Sequence, residues 1–139
     1  MTAAPKWFTP VAVVALLWNL IGCAAYLSDV MLTPDDVAAM TAAQQAMYNA
    51  RPAWAVAGTA TAVWFGAAGC VALIVRRRWA MPLLALSLLG VVVQDVSFFL
   101  VSATVGAEPA AVVLQALVFV IAIALLWLAR TAAARGWLA

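Results

Sequence analysis

The sequence predicts an all-α fold: a four-helix transmembrane bundle with up-down topology and both termini cytoplasmic. A short amphipathic helix is expected in the outer loop between spans 1 and 2. Three observations predict this architecture. Hydrophobic residues make up 69% of the 139 and charged residues 9%, against roughly half and a quarter in soluble chains. Four apolar stretches each approach or exceed the roughly 20 residues that a helix needs to cross a bilayer. The basic residues are sorted between alternate connections, as they are when positive charge stays on the cytoplasmic side.

Span 1 covers about 7–28 (WFTPVAVVALLWNLIGCAAYLS). It exceeds a signal-peptide apolar region in length and ends without a small-residue cleavage site, so it is expected to be retained. The loop that follows, VMLTPDDVAAMTAAQQAMYNARP, places Thr33 as an N-cap, Pro34 at the first helical position and Asp36 in the capping-box position. Val37, Met40, Gln44, Met47 and Tyr48 recur at spacings of three and four. These signals predict one helix over about 34–48, and Pro52 keeps it from running straight into span 2. It reads as an amphipathic connector resting at the interface, the sharper alternative being a lid over an opening to the outside.

Span 2 covers about 53–75. In it Gly58, Ala62, Gly66 and Cys70 repeat every four residues, a small-residue face that lets another helix approach closely. Span 3 covers about 79–103, and here Ser87, Gln94 and Ser97 share a face, with Asp95 about 100° further round. Span 4 covers about 109–129. The connections at Arg76–Arg78 and Thr104–Glu108 are short, which makes neighbouring spans antiparallel hairpins. The whole sequence, 1–139, reads as a single transmembrane domain.

Charge sets the expected orientation. Lys6, Arg76, Arg77, Arg78, Arg130 and Arg135 fall on one side, while Arg51 alone faces Asp29, Asp35, Asp36 and Glu108 on the other. The first side is therefore cytoplasmic. The net charge of +2 follows from this bias and implies no nucleic-acid partner. Trp7, Trp54, Trp79 and Trp127 sit near span ends, where indoles favour the interface, while Trp18 and Trp64 lie deeper. Cys23 and Cys70 fall at different depths, about 25 and 9 Å from the cytoplasmic edge at 1.5 Å per residue. An intrachain disulfide is not expected, and both cysteines read as small packing residues. The sequence has no histidine. That removes the usual haem ligand, the commonest zinc ligand and the base of Ser–His–Asp or Cys–His catalysis, so no cofactor, metal site or enzymatic activity is expected.

The depth count also aligns the polar residues. At about 1.5 Å per residue from the nearest cytoplasmic basic residue, Asn19 lies roughly 20 Å up, Thr61 and Gln115 near 22 Å, and Gln94 and Asp95 near 25 Å. Each span thus contributes a hydrogen-bonding group at nearly one level. Such groups are costly against lipid and should turn inward. Asp95 has no basic residue within the spans to pair with, and the nearest outside them is Arg51. Three states can accommodate its carboxyl: protonated, bordering water from the outer side, or coordinating a cation. The simplest alternative is a neutral Asp95 held by Gln94, Asn19 or Gln115 as interhelical glue.

Four fragments carry a family likeness: Trp-Asn-Leu-Ile-Gly at 18–22, Met-Tyr-Asn-Ala-Arg-Pro-Ala-Trp at 47–54, Arg-Arg-Trp-Ala-Met-Pro at 77–82, and Gly-Trp-Leu at 136–138. Through them the protein resembles small four-span bacterial inner-membrane proteins of the DoxX-like assortment, often described as sugar transporters. The resemblance spans most of the sequence and implies an architecture rather than a catalytic signature. Small multidrug exporters share the size but place their essential carboxylate in the first span. Quinone-linked disulfide oxidoreductases share the topology but need paired cysteines. Neither pattern is present here.

These readings converge on a multi-pass protein of the bacterial inner membrane, a small-solute transporter or solute-binding membrane protein. Its expected site is a polar layer centred on Asp95, with Gln94, Asn19, Gln115, Thr61 and Tyr26, reached from the outer side. The expected partners are the lipid bilayer, the solute, and either a second copy of the protein or a larger membrane complex. A homodimer would make room for a sugar-sized solute that four helices alone enclose only narrowly. The alternative function is a non-catalytic accessory or assembly subunit, docking a larger complex through the small-residue stripe and the outer helix.

Overall fold

The structure is a computed structural model and describes residues 3–139. Six helices follow one another: α1 (Phe8–Val30), α2 (Pro34–Ala38), α3 (Ala42–Ala50), α4 (Ala53–Ile74), α5 (Ala80–Val105) and α6 (Pro109–Ala134). There is no strand among the described residues. α1, α4, α5 and α6 are each long and apolar enough to cross a membrane, and the protein is an integral membrane protein. α6 runs to Ala134, beyond the expected end near 129.

The outer-loop helix differs from expectation. Instead of one helix over 34–48, the loop holds α2 and α3, with a break at Met40 and Thr41. Two sets of caps compete with continuity and win. Thr33 and Asp36 form the expected capping box, the Asp36 carboxylate accepting from the Thr33 N–H at 3.0 Å. Thr41 and Gln44 form a second box one short helix later, with Gln44 accepting from the Thr41 N–H at 3.2 Å. The Gln45 amide then donates back to the Val37 carbonyl at 2.9 Å, which also accepts from the Met40 N–H, and to the Ala38 carbonyl at 3.3 Å, so the free acceptors at the end of α2 are served. With α3 capped at its start by Thr41 and α2 capped at its end by Gln45, the break is self-supporting.

The long helices pack side by side. α4 lies against α1 and against α5, α6 lies against α5, and α3 rests on α5. The α4–α5 contact is the tightest, and the small-residue stripe explains it. Gly58, Ala62, Gly66 and Cys70 are all buried. A Cβ at Gly90 would fall 2.6 Å from both the Ala62 nitrogen and the Gly58 carbonyl oxygen. The two backbones are in contact there, as van der Waals association of membrane helices favours. The stripe is therefore consumed inside the molecule, on α5 and α1, and is not a free docking face.

α1 and α6 share a core at only one end of the bundle. There Phe8, Ala12, Leu73, Leu84, Ala129 and Ala132 pack with Trp137 and Leu138 of the C-terminal tail. The rings of Phe8 and Trp137 meet nearly edge-on at 5.6 Å. Two matching turns close this end. After α4, Arg77 N–H donates to Ala72 and Arg76 N–H to Leu73; after α6, Trp137 N–H donates to Ala132 and Gly136 N–H to Ala133. Both are Schellman motifs, which need a left-handed residue just past the helix. Gly136 fills that position at φ 74° and Arg76 at φ 60°. The turns are stitched together by Arg78 N–H to the Ala139 carbonyl at 2.8 Å and Ala139 N–H to the Arg76 carbonyl at 2.7 Å. The start of α1, the C-terminal tail and Arg76–Arg78 thus gather at one end, with α2, α3 and Arg51 at the other.

Candidate functional site

Above the closed arginine end the outermost helices, α1 and α6, do not pack closely on each other. A cavity of about 360 Å³ lies between them, walled by α1, α4, α5 and α6. A second of about 430 Å³ lies under the loop, roofed by Met40, Gln44, Met47 and Tyr48. The α3 segment therefore takes the covering position of a lid over this space. Asp29, Arg51, Thr59, Gln94 and Gln115 line both cavities. They form a polar seam where the two chambers adjoin.

Individual hydrogen bonds fix the seam. Gln94 Nε2 donates to Gln115 Oε1 at 3.1 Å, joining α5 to α6. Arg51 Nη1 pairs with Asp29 Oδ2 at 2.8 Å, tying the loop to the last turn of α1. The Arg51 guanidinium also lies over the Tyr48 ring, 5.2 Å from its centroid. The pair is about two-thirds buried, with side chains 31% and 32% exposed. Its net stabilisation is small, of the order of 1 kcal/mol or less, so it can open at little cost.

Deeper in the first cavity, Asn19 Nδ2 donates to the Ala15 carbonyl at 2.9 Å and to Cys70 Sγ at 3.5 Å. Ser87 Oγ donates to the Ala62 carbonyl at 2.6 Å, across the α4–α5 contact. Gly66 lets these two side chains come together, since a Cβ there would strike both Asn19 Oδ1 and Ser87 Oγ. Tyr26 stands higher on the same wall, edge-on to Trp64 with ring centroids 6.4 Å apart.

Of the six residues expected to form the site, Asn19, Tyr26, Gln94 and Gln115 line the first cavity. Thr61 and Asp95 line neither. Thr61 donates its hydroxyl to the Ala57 carbonyl of its own helix at 2.9 Å. Asp95 is half-buried, and its Oδ1 is buried without a hydrogen-bond partner among the described residues. Gln94 and Asn19 are bonded elsewhere, so neither holds the Asp95 carboxyl. The lining is thus centred on Gln94 and Gln115, one helical position away from the residue expected. Arg51, Asp29, Thr59 and Ser87 also line the site; Thr59 lies just above the polar layer and Ser87 on the Gln94 face of span 3, whereas depth along the helices does not single out Arg51 or Asp29. The single cation in an otherwise acidic outer loop was the available signal for Arg51.

Both cysteines are free and buried. Cys23 Sγ reaches the Val63 carbonyl at 3.4 Å. Among the described residues, no group of three from Cys, Asp and Glu stands together as a metal ion would require. The protein matches no family model, no curated protein and no solved structure.

Proposed function

We propose that the protein is a small-solute-binding membrane protein, with transport as the activity such a site would serve. The observation that carries this reading is the pair of cavities adjoining at one polar seam. Each has the volume of a small-molecule site, which typically spans about 300–1,000 Å³. A single copy therefore has room for a ligand without a second one. The lining is mostly apolar with a few convergent polar groups, the usual chemistry of such sites. In the orientation that the positive-inside rule favours, α3 and the loop cavity face the outside of a bacterial inner membrane, and the arginine end is cytoplasmic.

The test is thermal stability of the purified protein across a panel of small uncharged solutes, beside Gln94→Leu/Gln115→Leu. A ligand at about 100 times its Kd stabilises the folded state by about 2.7 kcal/mol. A solute that raises the melting temperature of the parent and not of the double variant supports the reading. Equal stabilisation of both places the ligand elsewhere.

Asp95 favours a second reading, as a subunit of a larger membrane complex. Its carboxyl is half-buried in a membrane-spanning helix, away from both cavities and without a partner among the described residues. A partner helix bearing a donor would satisfy it. Co-purification from native membranes that is lost in Asp95→Asn separates this reading from solute binding.

A further inference from the structure

The cavity between α1 and α6 has a rim as well as a lining. Ile21 of α1 and Leu114 of α6 both line it, yet they are 67% and 51% exposed. Both sit inside membrane-spanning helices. The cavity therefore reaches the outer surface at a depth where the surrounding medium is lipid, between two helices that do not pack closely on each other. Its wall below the seam is mostly apolar, built from residues such as Val91, Val118, Ile121 and Leu125, and the two polar side chains there, Asn19 and Ser87, already donate to backbone carbonyls. Above that wall stand the amides of Gln94 and Gln115 and the hydroxyls of Thr59 and Tyr26.

Charge narrows the ligand further. Among the described residues, the only charged side chains lining this cavity are Asp29 and Arg51, which neutralise each other. The loop cavity adds Glu108 and, among the described residues, no further cation. An anionic head group would have to displace Asp29 and then approach Glu108. A cationic one would have to displace Arg51 from Asp29. Neutral hydroxyl, carbonyl or amide groups fit the Gln94–Gln115 amides without either conflict.

We propose that the cavity takes an uncharged amphiphile from the bilayer through the α1–α6 opening, its hydrogen-bonding head at the Gln94–Gln115 seam and its acyl tail along α6. This rests on the solute-binding reading and names the ligand class. Lateral entry also explains how one site can be apolar on one side and polar on the other: the rim meets lipid and the seam meets the loop.

The experiment uses the full-length protein in phosphatidylcholine nanodiscs with a monoacylglycerol carrying a diazirine in its acyl tail. After photolysis, adducts are mapped by peptide mass spectrometry. Adducts concentrated at Ile21 and Leu114, and competed by plain monoacylglycerol, are expected. The fatty acid of equal length, ionised at pH 8, should compete more weakly. Ala25→Trp, which adds bulk at an exposed wall position, should abolish the saturable labelling. Gln94→Leu/Gln115→Leu should weaken it about tenfold, the equivalent of one or two lost hydrogen bonds. Labelling spread evenly over the lipid-facing Val14, Val113 and Val120, and indifferent to Ala25→Trp, would mean surface lipid only and overturn the proposal. So would tighter competition by the fatty-acid anion. If monoacylglycerol fails while a water-soluble solute gives stabilisation that needs the glutamines, the amphiphile falls and the solute site stands. Failure of both removes the two together.

Discussion

Arg76 holds a left-handed backbone, φ 60°, in a position where most helices ending this way use glycine. The conformation costs a residue with a Cβ about 1–2 kcal/mol. The guanidinium offsets it by donating to Thr9 Oγ1 at 2.8 Å and lying 4.7 Å from the Phe8 ring centroid. Two substitutions separate these effects, because both remove the guanidinium but only one keeps the Cβ. Arg76→Ala is expected to unfold more readily than Arg76→Gly by about 1 kcal/mol, read from denaturation in mild detergent. Equal stabilities would show that the turn relaxes out of the left-handed region. At the same scale, Gln94 and Asp95 show what sequence can and cannot give. Counting rise along the helix puts Gln94 level with Gln115, and the two are hydrogen-bonded. Depth does not fix rotation, and adjacent residues differ by about 100° around a helix. The packing of α5 on α4 and α6 decides that Gln94 meets the cavity and Asp95 does not.

Among the elements, the long helices are readable from hydropathy because length and apolarity alone specify a span. The stripe on α4 is readable too, since only small residues at every fourth position allow backbones to touch. Gly90, its counterpart on α5, carries the same requirement without a repeat to announce it. Its substitution by alanine pushes a methyl against the Ala62 nitrogen and the Gly58 carbonyl, both backbone atoms that cannot swing away. Gly90→Ala should cost about 1–3 kcal/mol, the usual range for overpacking, measured against the parent in the same unfolding assay. No loss would mean that α4 and α5 can separate without cost. The loop is less legible, because its apolar spacing continues through Met40 and suggests one helix, whereas the second cap at Thr41 divides it. Its first cap has a pH signature. Hydrogen bonds from the Thr33 N–H, and then from its hydroxyl, hold the Asp36 carboxyl below its ordinary value of 3.8. A depressed carboxyl stabilises the fold above its unfolded pKa and loses that stabilisation as pH falls through the folded one. Amide protection at Val37 and Ala39, taken as the exchange rate relative to that of the unstructured chain at the same pH, should therefore hold at neutral pH and fall below about pH 4. Asp36→Asn should exchange faster at neutral pH and lose that acid-dependent step. An unchanged acid profile in Asp36→Asn would assign the step to another carboxyl.

The whole molecule is asymmetric along its axis: sealed where the C-terminal tail meets the arginine turn and hollow toward α3. The seal is a stack of Phe8, Trp137 and Trp7, with the Trp7 and Trp137 rings 5.9 Å apart and crossed at 82°. Ala129 and Ala132 beneath it are fully buried, whereas Thr59 borders both cavities. In a carrier this is the shape of one end state, and access should follow it. With Cys23 and Cys70 replaced by serine, a single cysteine at Thr59 should react with a polar maleimide, and one at Ala129 should not. Adding Trp137→Ala removes the more buried of the seal's two tryptophans at a cost of about 3 kcal/mol. The cysteine at Ala129 should then become reactive while that at Thr59 is unchanged. Applied to intact cells, the same reagent reports orientation, because the Thr59 site reacts from outside only if α3 is external, as the charge distribution favours. An unreactive Thr59 position on both sides of the membrane would mean that the seam is closed to water, and solute entry would then have to come through the rim between Ile21 and Leu114.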